Sequence, residues 1–217
     1  MPISRKYACG DVSVAVWAIE ETSEQLGAML GDDALLRKAC SFGGEARRAE
    51  WLAVRLLLRA MLGCDVRIYY SPDGKPLLVG ACGYISVSHT QGIAVLAYSP
   101  RQPIGVDVEY ITRKVGVARS FVMNDGECDA LPVEAQHTYT LLRWTAYEAV
   151  YKLAGGSGYK ERLTMPLFVP AQGGVFGVAL GYGDGVAQQF SLSYIIDDGL
   201  LLSLCTACGD ALPLVRL

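Results

Sequence analysis

The chain has 217 residues, 52% of them hydrophobic, and a formal net charge of −3. That is enough apolar material for a real core, as one large domain or two small ones, and the charge balance excludes a global basic footprint for nucleic acid. No apolar run reaches the roughly eighteen residues of a membrane span, and the opening MPISRKYACGDV lacks a signal peptide's apolar core, so the expectation is a cytoplasmic protein.

Residues 11–19, DVSVAVWAI, alternate and predict a strand. Residues 44–62, GEARRAEWLAVRLLLRAML, have helical spacing, with Gly63 as the stop. Trp51, Val54, Leu58 and Leu62 share one face, and Arg47, Arg48, Arg55 and Arg59 crowd the polar side. VRIYYSPDGKPLL reads as strand, turn, strand. YISVSHTQGIAVLAYS reads as two strands around Thr90-Gln91-Gly92, and GVDVEY (105–110) as another strand. Residues 113–121 and 134–154 have helical character, the second stopped by the Gly-Gly-Ser-Gly run at 155–158. GGVFGVAL, QQFSLSYII and LLLSLCTA make a strand-rich tail. The element order of residues 1–104 is echoed in 105–217, which predicts an α+β pseudo-duplicate. A boundary near Pro100–Pro103 fits that division, although no linker composition marks it.

Seven cysteines are scattered through these elements. Cys205 and Cys208 form a lone C-x-x-C, and the two histidines, His89 and His137, are far apart, so no second ligand pair for zinc is visible. Reduced thiols of a cytosolic protein are the expectation.

Four groups of residues could carry chemistry. In GVDVEY, strand alternation puts Asp107 and Glu109 on one face, roughly 6–7 Å apart at the backbone. Like charges that close repel unless something positive lies between them. A hard divalent cation is one answer, and a solvated open sheet face is the other. In LLRWTAYEAVYKLAG, Glu148 and Lys152 are spaced i, i+4, as a functional pair or as a surface ion pair. Lys75 after a turn, with Ser88 and His89 at the end of a strand, could hold a phosphate or be ordinary turn residues. The arginine helix reads as an anion or acidic-partner surface or as a solvated face.

In order, GKP (74–76), SVSH (86–89), GVDVE (105–109) and WTAYEAVYK (144–152) resemble the 4′-phosphopantetheinyl transferase superfamily, most closely its surfactin-synthetase-activating type. Its motifs are G-V/I-D-V/I-E and, about 40 residues later, W-S/T-x-K-E-A-x-x-K, with S-x-S-H and G-K-P upstream. The match runs from about residue 45 to 155, with the arginine helix as the family's first helix. The resemblance implies an α+β fold of two halves, each a small, mostly antiparallel sheet with helices packed on it. Residues 1–104 would contact the nucleotide end of coenzyme A, and 105–217 would carry the metal-binding carboxylates and catalytic helix, with the site between the halves of a monomer.

The resemblance further implies that Asp107, Glu109 and Glu148 bind one Mg²⁺, an ion whose ligand preferences Mn²⁺ shares. A serine hydroxyl of an apo acyl or peptidyl carrier protein attacks the β-phosphate of coenzyme A, and adenosine 3′,5′-bisphosphate leaves. Lys152 is the cationic contact to the phosphates. Glu148, or a water it polarises, is the first choice of base, and Glu127 the second. Lys75, Ser88 and His89 hold the 3′-phosphate or adenosine end, with Arg47 and Arg48 as further contributors. Carriers of fatty-acid, polyketide and non-ribosomal peptide pathways all fit, and the helix around 47–59 or residues near Lys114 and Arg119 could steer an acidic carrier. One position departs from the pattern: Tyr147 stands where the family usually has lysine. A non-catalytic paralogue that binds coenzyme A or a carrier is therefore an alternative, and an unrelated Mg²⁺-dependent phosphotransferase or hydrolase is another. No G-x-x-x-x-G-K-S/T loop supports a nucleoside triphosphatase.

Overall fold

The computed structural model describes residues 3–114, 122–123, 125–155, 163–181, 187–207 and 212–217. It is a mixed fold in which every strand pairing recorded among the described residues is antiparallel. Contacts divide the chain into two units, Met1–Arg101 with Arg216–Leu217, and Gln102–Val215.

In the first unit, β1 (Arg5–Cys9), β2 (Val12–Ala18), β5 (Tyr84–Thr90) and β6 (Ile93–Ser99) form a sheet of order β12-β1-β2-β6-β5, with β12 (Val215–Arg216) at one edge. The alternation read at 11–19 is β2, and Trp17 on it is fully buried. Sequence periodicity left residues 20–43 unassigned, but two helices occupy them. Thr22 caps α1 (Ser23–Leu30) in a reciprocal box with Gln25, and Asp32 accepts from Ala34 and Leu35 to start α2 (Asp33–Cys40). The long α3 (Glu45–Leu62) ends at Gly63, whose φ of 100° suits glycine. Its residues Leu52, Ala53, Leu56 and Leu57 pack with Trp17, Leu26 and Leu96 in one apolar cluster. The β3 (Arg67–Tyr70) and β4 (Pro76–Val79) pair is the strand–turn–strand segment read around SPDG.

In the second unit, β7 (Gly105–Tyr110) lies at the edge of a sheet of order β7-β11-β10-β9-β8. Its other strands are β8 (Leu163–Thr164), β9 (Gly173–Gly181), β10 (Ala187–Asp197) and β11 (Leu200–Ala207). A short α4 (Asp125–Asp129) precedes α5 (Val133–Ala154). Leu142, Ala146, Ala149, Val150 and Leu153 of α5 join Leu192, Leu201 and Cys205 of the sheet in the core. Cys205 is a buried free thiol whose pKa burial pushes up, which suits packing rather than redox chemistry. Cys208, Arg119, most of the helix read at 113–121 and the last three residues of the 155–158 run lie outside the described residues.

Candidate active site

The strand β7 and the helix α5 meet face to face, and glycine makes this approach possible. A Cβ built on Gly105 would stand 1.8 Å from the Ala149 carbonyl oxygen. The face of β7 that carries positions 105, 107 and 109 is therefore the one α5 covers. The register agrees. Asp107 lies opposite Ser203, and the Ser203 hydroxyl is 2.7 Å from Thr145 Oγ1 of α5. Val106 and Val108 fill the other face.

Burial removes one of the two readings of the acid pair. Asp107 is 5% and Glu109 6% exposed, so neither belongs to a solvated sheet face. A buried carboxylate needs compensating charge, and α5 and the segment after β7 supply it. The Lys152 ammonium donates to Asp107 Oδ1 at 2.7 Å and to the Val106 carbonyl at 2.9 Å. Arg113 pairs with Glu109 and lies 5.5 Å from the Trp144 ring centroid. Lys152 thus reaches across to the strand instead of closing an i, i+4 bridge with Glu148, which removes the surface-pair reading. Burial, then the Asp107 charge, raises the Glu148 carboxyl above its ordinary range, while Lys152 and Arg113 pull the other way.

Asp107 and Glu109 are thus each paired with a cation, and Glu148 lies close enough to Asp107 to feel its charge. Among the described residues, no three His, Cys, Asp or Glu side chains are grouped to hold a metal ion as they stand, and Lys152 and Arg113 engage two of the carboxylates. The donor chemistry nevertheless fits a hard divalent ion. It is all carboxylate oxygen, largely withdrawn from water, with negative charge in excess of positive.

Glu127 is paired with Arg143, whose Nη1 lies 3.0 Å from Glu127 Oε1 while Nη2 donates to the Leu163 carbonyl. Tyr147 is buried in the α5 core. The sequence reading missed Gly105, Arg113 and Arg143. Arg113 carried no local signal, since i, i+4 spacing brings side chains together on a helix and Glu109 lies on a strand, whereas Arg143 carried one, a charge set inside the apolar run of α5.

The other predicted residues belong to the first unit. His89 Nδ1 is 3.0 Å from Glu50 Oε2, and Arg47 meets the other ring nitrogen. Ser88 is buried and points to the opposite face of β5. Arg48 donates to the Phe42 carbonyl at 2.9 Å. The Ser71 hydroxyl holds the Lys75 backbone, accepting from its N–H at 3.0 Å. Arg55 corrects the expectation of a polar helix face: it is buried, stacked on Trp51.

Residues 103–195 match the 4′-phosphopantetheinyl transferase superfamily. That segment contains the whole carboxylate and Lys152 group. The chain is 32% identical over 120 residues to "4′-phosphopantetheinyl transferase AcpT" of Salmonella typhimurium, covering 52% of this chain and 62% of that protein. It is 29% identical over 163 residues to "4′-phosphopantetheinyl transferase HetI" of Nostoc sp., covering 65% and 68%. The Escherichia coli K12 AcpT is 30% identical over 120 residues, with the same coverage as its Salmonella counterpart. The match to AcpT thus spans less than two thirds of that protein's length. Among the described residues, no helix is long and apolar enough to cross a membrane.

Proposed function

We propose that this protein is a 4′-phosphopantetheinyl transferase of the surfactin-synthetase-activating type, which moves the phosphopantetheine arm of coenzyme A to a serine of an apo acyl or peptidyl carrier protein. The observation that carries this reading is the buried Asp107–Lys152 contact, with Glu148 close enough to feel the Asp107 charge, inside the segment that matches the superfamily. The two antiparallel units are read as duplicated halves, 1–104 and 105–217, of a cytoplasmic monomer. Asp107, Glu109 and Glu148 would hold Mg²⁺, which supplies charge neutralisation at the coenzyme A pyrophosphate when bound.

The chain's own residues do the rest. Lys152 turns from Asp107 to a phosphate oxygen and balances charge as the bond to the leaving nucleotide breaks. Glu148, or a water hydrogen-bonded to it, accepts the serine proton. Glu127 is the second choice, because its Oε1 is already engaged by Arg143. Lys75 and His89, with Arg47 and Arg48, hold the nucleotide end by their side chains, and Ser88, whose side chain faces the other way, by its backbone. The aromatic ring of Tyr147 packs in the core, so Tyr147→Phe is expected to keep transfer within about threefold, the scale of a single lost hydrogen bond. A larger loss in initial rate would assign the hydroxyl a role in the reaction.

The deciding experiment is intact-protein mass spectrometry of several apo carriers incubated with coenzyme A and Mg²⁺. A carrier mass gain of one phosphopantetheine arm, absent with EDTA and with Asp107→Ala, is the expected result. No gain on any carrier while coenzyme A still binds would overturn the transferase reading and leave a non-catalytic binding protein.

A further inference from the structure

Two hydroxyls are sealed inside the second unit, where methyl groups would serve for packing. Thr145 on α5 and Ser203 on β11 are both fully buried, and Thr145 Oγ1 lies 2.7 Å from Ser203 Oγ. The Thr145 hydroxyl donates to the Leu142 carbonyl at 3.1 Å. It has one proton to give, so Ser203 is the donor between the two. The bonds thus run from β11 through Thr145 to the backbone of α5. Leu142, Ala146, Ala149, Leu201 and Cys205 in the same core are apolar. A valine and an alanine would fill the same space, and exchanging both partners of a buried hydrogen bond for apolar groups of like shape is close to neutral for stability. What apolar groups lack is a fixed length and direction.

Direction matters here because of what flanks the pair. Across the ladder, Ser203 stands opposite Asp107. Along α5, Thr145, Ala149 and Lys152 fall on one stripe, with Glu148 beside it. That stripe meets the sheet at Ser203 through Thr145, above Gly105 through Ala149, and at Asp107 and the Val106 carbonyl through Lys152. Glu148 lies between the first of these points and the last. In the proposed transfer Lys152 leaves Asp107 for a phosphate oxygen, which opens the last point. The Ser203 bond stays closed, one helical turn before Glu148.

We propose that Ser203 is a positioning residue, whose hydrogen bond to Thr145 keeps Glu148 in register with Asp107 and Glu109 while Lys152 turns to the substrate. This role rests on the transferase reading, yet Ser203 stands beyond residues 103–195, the segment matched to the superfamily.

Two variants of the full chain separate shape from hydroxyl. Thr145→Val combined with Ser203→Ala keeps most of the shape and removes both hydroxyls, and it should melt within about 5 °C of wild type. With coenzyme A present it should bind Mn²⁺, followed by loss of the free ion's paramagnetic resonance signal, at least about tenfold more weakly than wild type, the scale on which groups that orient metal ligands act. Thr145→Ser keeps the hydroxyl and drops a buried methyl. It should melt a few degrees lower and still bind Mn²⁺ within about twofold of wild type. A second readout needs no ion. The Lys152 ammonium is held by Asp107 and the Val106 carbonyl, so its acetylation in chelator, measured against the exposed Lys6, should quicken several-fold in the double variant. If the double variant does not fold, Ser203→Ala alone takes its place, because Thr145 keeps its bond to Leu142. The role is overturned if the double variant binds Mn²⁺ and labels Lys152 like wild type. It is equally overturned if Thr145→Ser weakens Mn²⁺ as much as the double variant does, which would make the loss one of packing. If wild type takes no Mn²⁺ and modifies no carrier, the transferase reading fails, and unchanged Lys152 labelling then removes the register role as well.

Discussion

Replacing Gly105 with alanine is expected to destabilise the second unit severely, although it adds a single methyl group. The new Cβ would overlap the Ala149 carbonyl oxygen at 1.8 Å and crowd the Leu153 nitrogen at 2.9 Å. Both are helix backbone, so no rotamer change relieves the clash. Either α5 must lift off β7 or β7 must leave the sheet. Overpacking against a side chain costs about 1–3 kcal/mol. Against a helix backbone the loss should exceed about 3 kcal/mol, lowering the melting temperature by roughly 10 °C or more. Holo-carrier formation should vanish with it, because separating α5 from β7 parts Lys152 from Asp107. Calorimetry on the purified variant checks this, and a wild-type melting curve would mean that strand and helix do not pack as described.

The second large effect is expected at Glu148, where activity and stability should move in opposite directions. Glu148→Gln removes a carboxylate assigned to the metal and to the serine proton, and transfer should fall on the order of 10²–10³-fold. Stability should rise. The folded-state pKa of Glu148 is raised, first by burial and then by Asp107, so its proton is held more tightly in the folded chain than in the unfolded one. The corresponding stability is fully present below the unfolded pKa and is lost as pH rises through the folded one. Melting curves in chelator should show wild type and Glu148→Gln together near about pH 4, with the variant pulling ahead by about pH 8. A variant that is less stable across that range would mean that Lys152 and Arg113, not burial and Asp107, dominate at this carboxyl.

The parts of the fold that follow from local pattern were legible. Alternation gave β2, β5, β6 and the tail strands, and helical spacing gave α3 and α5 nearly to the residue. The helices α1 and α2 were written in capping residues, Thr22-x-x-Gln25 and Asp32, more than in apolar spacing, and a search for periodicity passes over them. In the candidate site, the acids of β7 stood out because strands seldom carry them. Their partners did not, since Lys152 reaches Asp107 across 45 positions and Arg143 reaches Glu127 across 16. Such pairings depend on how α5 lies over the sheet. Arg55 was misassigned because a charge on a helix is normally placed on its wet side. Its spacing of four from Trp51 puts it over an indole ring instead, where a guanidinium stacks well.

The pairing of Asp107 with Lys152 and of Glu109 with Arg113 also bears on how the protein lives before it meets its substrates. Small zinc domains fold only once their ion arrives. Here the chain brings its own positive charges to the acids, so the newly made protein can mature in an ion-poor environment and wait, complete, for its cargo. A chelator should silence it without unravelling it, and returning the ion should revive it without refolding.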